Sequence, residues 1–201
     1  MAKYLTAFNL MVHLSPLCLL QMILNPFFLA QAYDFSGEWS DITGNQANLY
    51  GGTVSSSAAV KYYIAQGASP SQINLGLPLY GRGFTNTAGL GKSFNGVGTG
   101  TWESGVYDYW ALPKTGGVVH EDTTSVSSYS YNPTAKELVS YDTPAIAGLK
   151  AKFIVDQGLA GAMFWVSLLS DLVRCVLILL SRNSRATRLA QLLSYPPSRL
   201  R

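Results

Sequence analysis

Four short segments hold residue types that could do chemistry together: Ala32-Tyr33-Asp34-Phe35-Ser36-Gly37-Glu38-Trp39, Leu77-Pro78-Leu79-Tyr80-Gly81-Arg82, Trp102-Glu103 and Gly161-Ala162-Met163-Phe164-Trp165. Each sets an aromatic ring, a guanidinium or a carboxylate just past a predicted buried strand, which is where α/β barrels build their sites. Flat aromatic faces with a few directed carboxylate and guanidinium groups suit a sugar, whose ring faces are apolar and whose edges carry hydroxyls and amides. Core packing accounts for any one Trp or Tyr taken alone. Four strand-end placements in one chain shift the reading to a carbohydrate site.

Other chemistries lack material. Only His13 and His120 are present, too few for a Ser-His-Asp arrangement with alternatives. The two cysteines, Cys18 and Cys175, lie in the terminal stretches, so neither a disulfide framework nor a Cys/His metal site is legible. Gly91-Lys92-Ser93 ends like a phosphate loop, but position 86 is Asn where that motif needs Gly, and the segment reads as a polar loop.

The chain has 201 residues, 48% apolar and 12% charged, which allows a real core and excludes an intrinsically disordered chain. Its net charge of +3 is unevenly spread. Residues 32–166 carry seven bases and ten acids, whereas Arg174, Arg182, Arg185, Arg188, Arg199 and Arg201 all follow the last acid, Asp171. The basic character therefore belongs to the tails. No basic stripe with interleaved aromatics runs through the body, and nucleic acid is not expected as a partner.

The elements that must position the four segments follow from capping and periodicity. Ser55, Ser56 and Ser57 offer N-caps, Val60, Tyr63 and Ile64 form a one-sided stripe, and Gly67 stops a helix of about 10 residues. Ser69-Pro70-Ser71 turns the chain into a buried strand carrying Ile73, Leu75, Leu77 and Leu79. Thr143 caps a second helix with Pro144 at its first position, a buried stripe of Ile146, Leu149, Phe153 and Ile154, and Gly158 at its end. Leu159 to Trp165 is a second buried strand, and the alternation predicts a parallel α/β sheet. Residues 85–142 break that rhythm with Gly, Ser, Thr and aromatics. Val126–Tyr131 and Leu138–Tyr141, joined through Asn132-Pro133, read as an antiparallel hairpin, and the whole stretch as a small α+β insertion in which Trp110 packs internally.

The termini read differently. Residues 4–33 hold no charged residue before Asp34, and Pro16 and Asn25-Pro26 interrupt the run. Lys3, the apolar Leu17–Leu29 and Ala30-Gln31-Ala32 match a secretory signal. The rival reading makes Val12 to Gln31 a foreign insertion, like a retained intron, and the Leu- and Arg-rich residues 166–201 a second departure. Membrane contact is expected only through these tails.

Residues 32–165 resemble the C-terminal half of the catalytic domain of a fungal-type glycoside hydrolase family 18 chitinase. The likeness rests on the Pro78-Leu79-Tyr80-Gly81-Arg82 strand, the α+β insertion with Trp102-Glu103, the Trp165-ended strand, and the family's Met-x-Tyr-Asp strand end, restored when Asn9-Leu10-Met11 is joined to Ala32-Tyr33-Asp34-Phe35. The resemblance implies a partial (β/α) barrel of the TIM type, its last strands only, divided as barrel segment plus hydrophobic insertion (1–31), barrel units (32–84), α+β insertion (85–142), last helix and strand (143–165) and tail (166–201). It implies substrate-assisted retaining hydrolysis of β-1,4-linked N-acetylglucosamine, an exception to the two-carboxylate rule. On that likeness Tyr33 and Asp34 assist at the acetamido group, while Tyr80, Arg82 and Glu103 bind the sugar. Trp165 is the stacking floor, Trp39 lines the leaving-group side, and Met11 joins the binding set. A chitin or chitooligosaccharide partner, no metal or cofactor, a monomer and an extracellular location come with it.

The sequence departs from the family in one decisive place. No Asp-x-x-Asp-x-Asp-x-Glu run occurs in the 201 residues, and its Glu is the acid that protonates the leaving oxygen. A full barrel also needs eight β/α units in about 250 residues, and about three are legible. The chain itself is expected to be inactive, with a non-catalytic chitin-binding protein as the alternative.

Overall fold

The computed structural model describes residues 28–165. Both helices begin where their caps predict. Ser55, in an extended conformation, accepts from the Ala58 N–H at 3.4 Å and opens α1 (Ser56–Ala65). Thr143 accepts from the Ile146 N–H at 3.3 Å and opens α2 (Pro144–Asp156) with Pro144 at its first position. Gly67 (φ 97°) and Gly158 (φ 64°) follow the two ends in the left-handed region, which costs glycine little.

Two expected stripes are corrected. In α1 the buried residues are Ser56, Ser57 and Val60, while Ile64 is exposed, because the helix meets the core through its first turns. In α2 Ile146, Phe153 and Ile154 are buried as expected, but Leu149 faces out. Lys150 takes the inward position instead.

The parallel sheet has the order β1-β2-β8, formed by β1 (Phe28–Ala30), β2 (Ile73–Pro78) and β8 (Gly161–Trp165). Leu75 pairs with Ala30 on one side and Ala162 on the other, and Pro78 pairs with Trp165. Every residue of β2 is buried, which is why its sequence reads as a nearly continuous apolar run. β1 falls inside the stretch that the insertion reading sets aside up to Gln31. Its pairing with β2 makes Phe28–Ala30 part of the sheet and runs the chain directly from strand into Tyr33-Asp34. Met11, residues 12–27 of that stretch and residues 166–201 lie outside the described residues.

At Leu79 the chain changes sheets. The Leu79 N–H donates to the Trp165 carbonyl at 2.9 Å, and β3 (Tyr80–Phe84) then enters a five-stranded antiparallel sheet, order β4-β3-β7-β6-β5. Its other members are β4 (Val106–Asp108), β5 (Val118–Asp122), β6 (Ser127–Asn132) and β7 (Glu137–Ser140). The expected hairpin is β6-β7, with Tyr131 opposite Leu138. Asn132 Oδ1 accepts from the Thr134 and Ala135 N–H groups, both at 3.0 Å, and so fixes the turn. The strands β3, β4 and β5 carry no legible pattern: β3 alternates with glycines, β4 is three residues long, and β5 is exposed throughout. Neither sheet closes on itself among the described residues.

A buried charge joins the layers. Lys150 is fully buried and donates to both carboxylate oxygens of Asp142, at 2.7 and 2.6 Å, and to the Ala47 carbonyl. Burial pushes the Asp142 carboxyl up and the Lys150 ammonium down, and the charge of each opposes the shift of the other. Removing one partner strands a charge in the core. Lys150→Met should therefore lower unfolding free energy by about 3–5 kcal/mol, and adding Asp142→Leu should recover a large part of it. Urea denaturation checks this; a loss below about 1 kcal/mol for the single variant would contradict the pairing.

Candidate functional site

The site is built where β1 ends. Asp34 stands at φ 62°, in the left-handed region that Asp tolerates better than most side chains. Its Oδ1 accepts from the Tyr80 phenol at 2.6 Å and from Arg82 Nε at 2.9 Å. Tyr80 and Arg82 are two apart on β3, so they project from one face of the antiparallel sheet. The glycine between them faces the other way, where a Cβ on Gly81 would come within 2.6 Å of Val139 Cγ1. The Tyr-Gly-Arg order thus lets the sheet pack tightly on one side while gripping a carboxylate on the other.

Aromatic rings surround this grip. The Arg82 guanidinium lies 5.0 Å from the centroid of Trp39 and 5.5 Å from that of Tyr80. Trp39 folds back against Gly37, where a Cβ would sit 2.5 Å from its Cη2, and the ring remains about half exposed. Tyr33 meets Tyr80 edge to face, with centroids 6.0 Å apart, and covers Gly76. Met163, fully buried, packs with Tyr33 and Tyr80, and Trp165 closes that cluster from the end of β8. Glu103 reaches Arg82 from the turn before β4, its Oε1 3.8 Å from Nη1, with half of its side chain exposed.

Electrostatics hold the two donors, Tyr80 and Arg82, in fixed protonation states. Burial, then the Asp34 charge and hydrogen bond, push the Tyr80 phenol far above its ordinary value. Burial works against the Arg82 cation, but the Asp34 hydrogen bond and charge outweigh it and raise its pKa. Tyr80 is thus a neutral donor and Arg82 a cation. Both bonds fall on Oδ1 of Asp34, so Oδ2 has no partner among the described residues and can accept from a ligand N–H or O–H.

The structure brings together Tyr33, Asp34, Trp39, Tyr80, Arg82, Glu103 and Trp165 from the sequence reading; Met11 lies outside the described residues. Trp102-Glu103 sits in a turn ahead of β4, not past a buried strand as expected, because β4 itself begins only at Val106. Trp110 does not pack internally: it is 69% exposed on a short 3-10 turn, Tyr109–Ala111. Gln46 escaped the sequence reading. Its Nε2 donates to the Tyr80 carbonyl at 2.8 Å and the Ser140 carbonyl at 3.0 Å, while its backbone carbonyl accepts from the Phe35 N–H at 2.9 Å. It lies in a loop without periodicity, so nothing in the sequence marks it. Met163 could have been found, since it lies two residues before Trp165 on one strand and shares its face.

Comparison with known proteins places these features in a wider set. The profile of Glycosyl hydrolases family 18 matches residues 20–168, beginning before the expected residue 32. The chain is 46% identical over 141 residues to Chitinase 1 of Aphanocladium album and 45% identical over 141 residues to Endochitinase 1 of Metarhizium robertsii; each alignment covers 67% of this chain and 33% of the relative. The chain thus spans about a third of the length of these relatives. Among solved structures, the catalytic domain of psychrophilic chitinase B from Arthrobacter superposes with a TM-score of 0.65 at 32% identity, over 84% of this chain and 38% of that one. A Cycas revoluta chitinase in complex with (GlcNAc)3 superposes with a TM-score of 0.63 at 29% identity, over 70% of this chain and 42% of that one.

The Tyr80 environment makes a pH prediction. An unfolded tyrosine ionises near pH 10, whereas folded Tyr80 resists, so its contribution to stability is complete below about pH 10 and is lost as pH rises beyond it. Tyr109, pushed up to about 12 chiefly by burial, acts in the same direction. Tyr80→Phe should make the alkaline loss of stability less steep, as read by urea denaturation at a series of pH values. Equal slopes in the two proteins would contradict the buried Tyr80–Asp34 bond.

Proposed function

The chain belongs to glycosyl hydrolases family 18, and from that premise we propose that it carries the C-terminal part of a chitinase-type (β/α) barrel, with half of a chitooligosaccharide site. In this reading β1, β2 and β8 are barrel strands, and the antiparallel sheet is an α+β insertion between the last two. The substrate is β-1,4-linked N-acetylglucosamine. Asp34 Oδ2 accepts the acetamido N–H of the sugar at the cleavage point, with Tyr33 beside it. Tyr80 and Arg82 hold Asp34, the Tyr80 phenol oxygen accepts from a sugar hydroxyl and the remaining Arg82 N–H groups donate to the sugar, Glu103 adds a carboxylate, Trp165 stacks under the ring and Trp39 lines the leaving-group side.

The observation that carries the proposal is the one-sided grip on Asp34: two donors on Oδ1 orient the carboxylate and leave Oδ2 for a ligand. In the family reaction the sugar's own carbonyl oxygen is the nucleophile, so an oriented acetamido group is the main thing the protein must supply besides a proton donor. That donor belongs to the Asp-x-x-Asp-x-Asp-x-Glu run missing from the 201 residues. Among site-adjacent acids Glu38 is exposed and Glu103 is committed toward Arg82. The chain as given therefore binds chitooligosaccharides without cleaving them. A non-catalytic chitin-binding role is the second reading, favoured by this pairing of a gripped Asp34 with a missing acid. An extracellular, cofactor-free monomer completes the proposal.

Two measurements test it. The purified chain should not turn over a fluorogenic chitooligosaccharide above a blank, and turnover abolished by a family inhibitor would overturn the inactivity. In calorimetric titration with chitin tetramer, Trp165→Ala should weaken binding by about ten- to a hundredfold, or about 1–3 kcal/mol. Unchanged affinity would remove Trp165 from the sugar site.

A further inference from the structure

The bond between Asp34 and Tyr80 is closed into a ring by a residue that hydrogen-bonds to neither the carboxylate nor the phenol. One residue past Asp34, the Phe35 N–H donates to the backbone carbonyl of Gln46 at 2.9 Å. Gln46 Nε2 donates to the Tyr80 carbonyl at 2.8 Å, and the Tyr80 phenol donates to Asp34 Oδ1 at 2.6 Å. The second hydrogen of Nε2 goes to the Ser140 carbonyl at 3.0 Å, and the Gln46 backbone N–H donates to Ser140 Oγ at 2.9 Å. Ser140 is the β7 partner of Arg82. One glutamine therefore ties the chain that carries the gripped carboxylate to both strands beside the gripping donors.

We propose that Gln46 is a positioning residue of the sugar site: by joining Phe35 to the carbonyl of Tyr80, it sets the angle at which Oδ2 of Asp34 meets the acetamido N–H. Both donors of the grip fall on Oδ1, so any shift of Tyr80 relative to Phe35 turns the carboxylate and redirects Oδ2. A hydrogen bond is lost over such small displacements, and a side chain fixed by a buried neighbour avoids them. The burial of Gln46 also argues for geometry over stability. The residue is fully buried, and its Oε1 has no partner among the described residues. Stranding an acceptor in the core is unfavourable, and an apolar side chain of similar length would avoid it. Such a side chain could not donate to two carbonyls at once.

The acetamido ligand rests on the function proposed above; the ring of bonds does not. Both are tested on the full chain, isotope-labelled at the tyrosine Cζ carbon, with the Tyr80 resonance assigned as the one missing from Tyr80→Phe. Gln46→Met removes both side-chain donors at similar length, and Gln46→Glu keeps the shape but loses the amide hydrogens. Val60→Ala, a cavity variant in the aliphatic core at α1, is the control for general loosening. In both Gln46 variants the Tyr80 signal should move toward that of a solvent-exposed tyrosine. Calorimetric titration should show chitin-tetramer affinity about tenfold lower at unchanged stoichiometry. Val60→Ala should change neither. A Tyr80 signal unmoved in the folded Gln46 variants would overturn the proposal, as would equal movement in Val60→Ala or an unchanged affinity beside a moved signal. Two Gln46 variants that do not fold would also overturn it, by making Gln46 a folding residue. A wild-type chain that does not bind the tetramer would count against the Asp34 half-site, and the Tyr80 signal alone would then decide the role of Gln46.

Discussion

A single carboxylate oxygen organises the described part of the chain. Asp34 Oδ1 receives the Tyr80 phenol and the Arg82 guanidinium, and these donors arrive from a different sheet than β1, the strand whose end leads into Asp34. The grip requires β1 and β2 to lie side by side, so that the chain leaving β1 and the chain leaving β2 emerge at the same end. It also requires β3 to begin within two residues of the end of β2. Leu79 is the one residue between the two sheets, and its N–H is tied to the Trp165 carbonyl. Parallel pairing and an abrupt change of sheet are thus conditions for one hydrogen-bonded cluster.

Supporting contacts converge on the loop after Asp34. Gln46 links it to β3 and β7 through two backbone carbonyls, those of Tyr80 and Ser140, and the next residue, Ala47, offers its carbonyl to buried Lys150. Lys150 in turn neutralises Asp142, just beyond β7. A charge buried this completely is expensive unless every donor finds an acceptor. Here those acceptors belong to two segments that must be adjacent for the site to exist, so the ion pair fixes position as much as it adds stability.

Much of this was legible in the residues because its physics is local. Serine and threonine caps, proline at a first turn and glycine past a helix end place both helices, and the nearly continuous apolar runs at Ile73–Pro78 and Leu159–Trp165 mark buried parallel strands. The site residues could be named because aromatic, guanidinium and carboxylate groups sat at those strand ends. What escaped depends on contacts between distant segments. Lys150 looks like a surface residue until Asp142 is beside it, and Leu149 looks buried until Lys150 takes its place. The exposure of Trp110 contradicted the expectation of packing because a tryptophan between Tyr109 and Ala111 carries no local sign of which way it points. The first strand, Phe28–Ala30, lies within the stretch read as an insertion or signal, because an apolar, charge-free run gives no boundary between a strand and what precedes it.

The central claim is that Asp34, oriented by Tyr80 and Arg82, accepts the acetamido N–H of a sugar. Chitin tetramer and cellotetraose differ at the position that matters, since glucose carries a hydroxyl where N-acetylglucosamine carries the acetamido group. Calorimetric titration of the wild-type chain with each should give measurable binding for the chitin tetramer and at least about tenfold weaker binding for cellotetraose, a difference of about 1.4 kcal/mol. Equal affinity for the two, or none for either, would contradict the account.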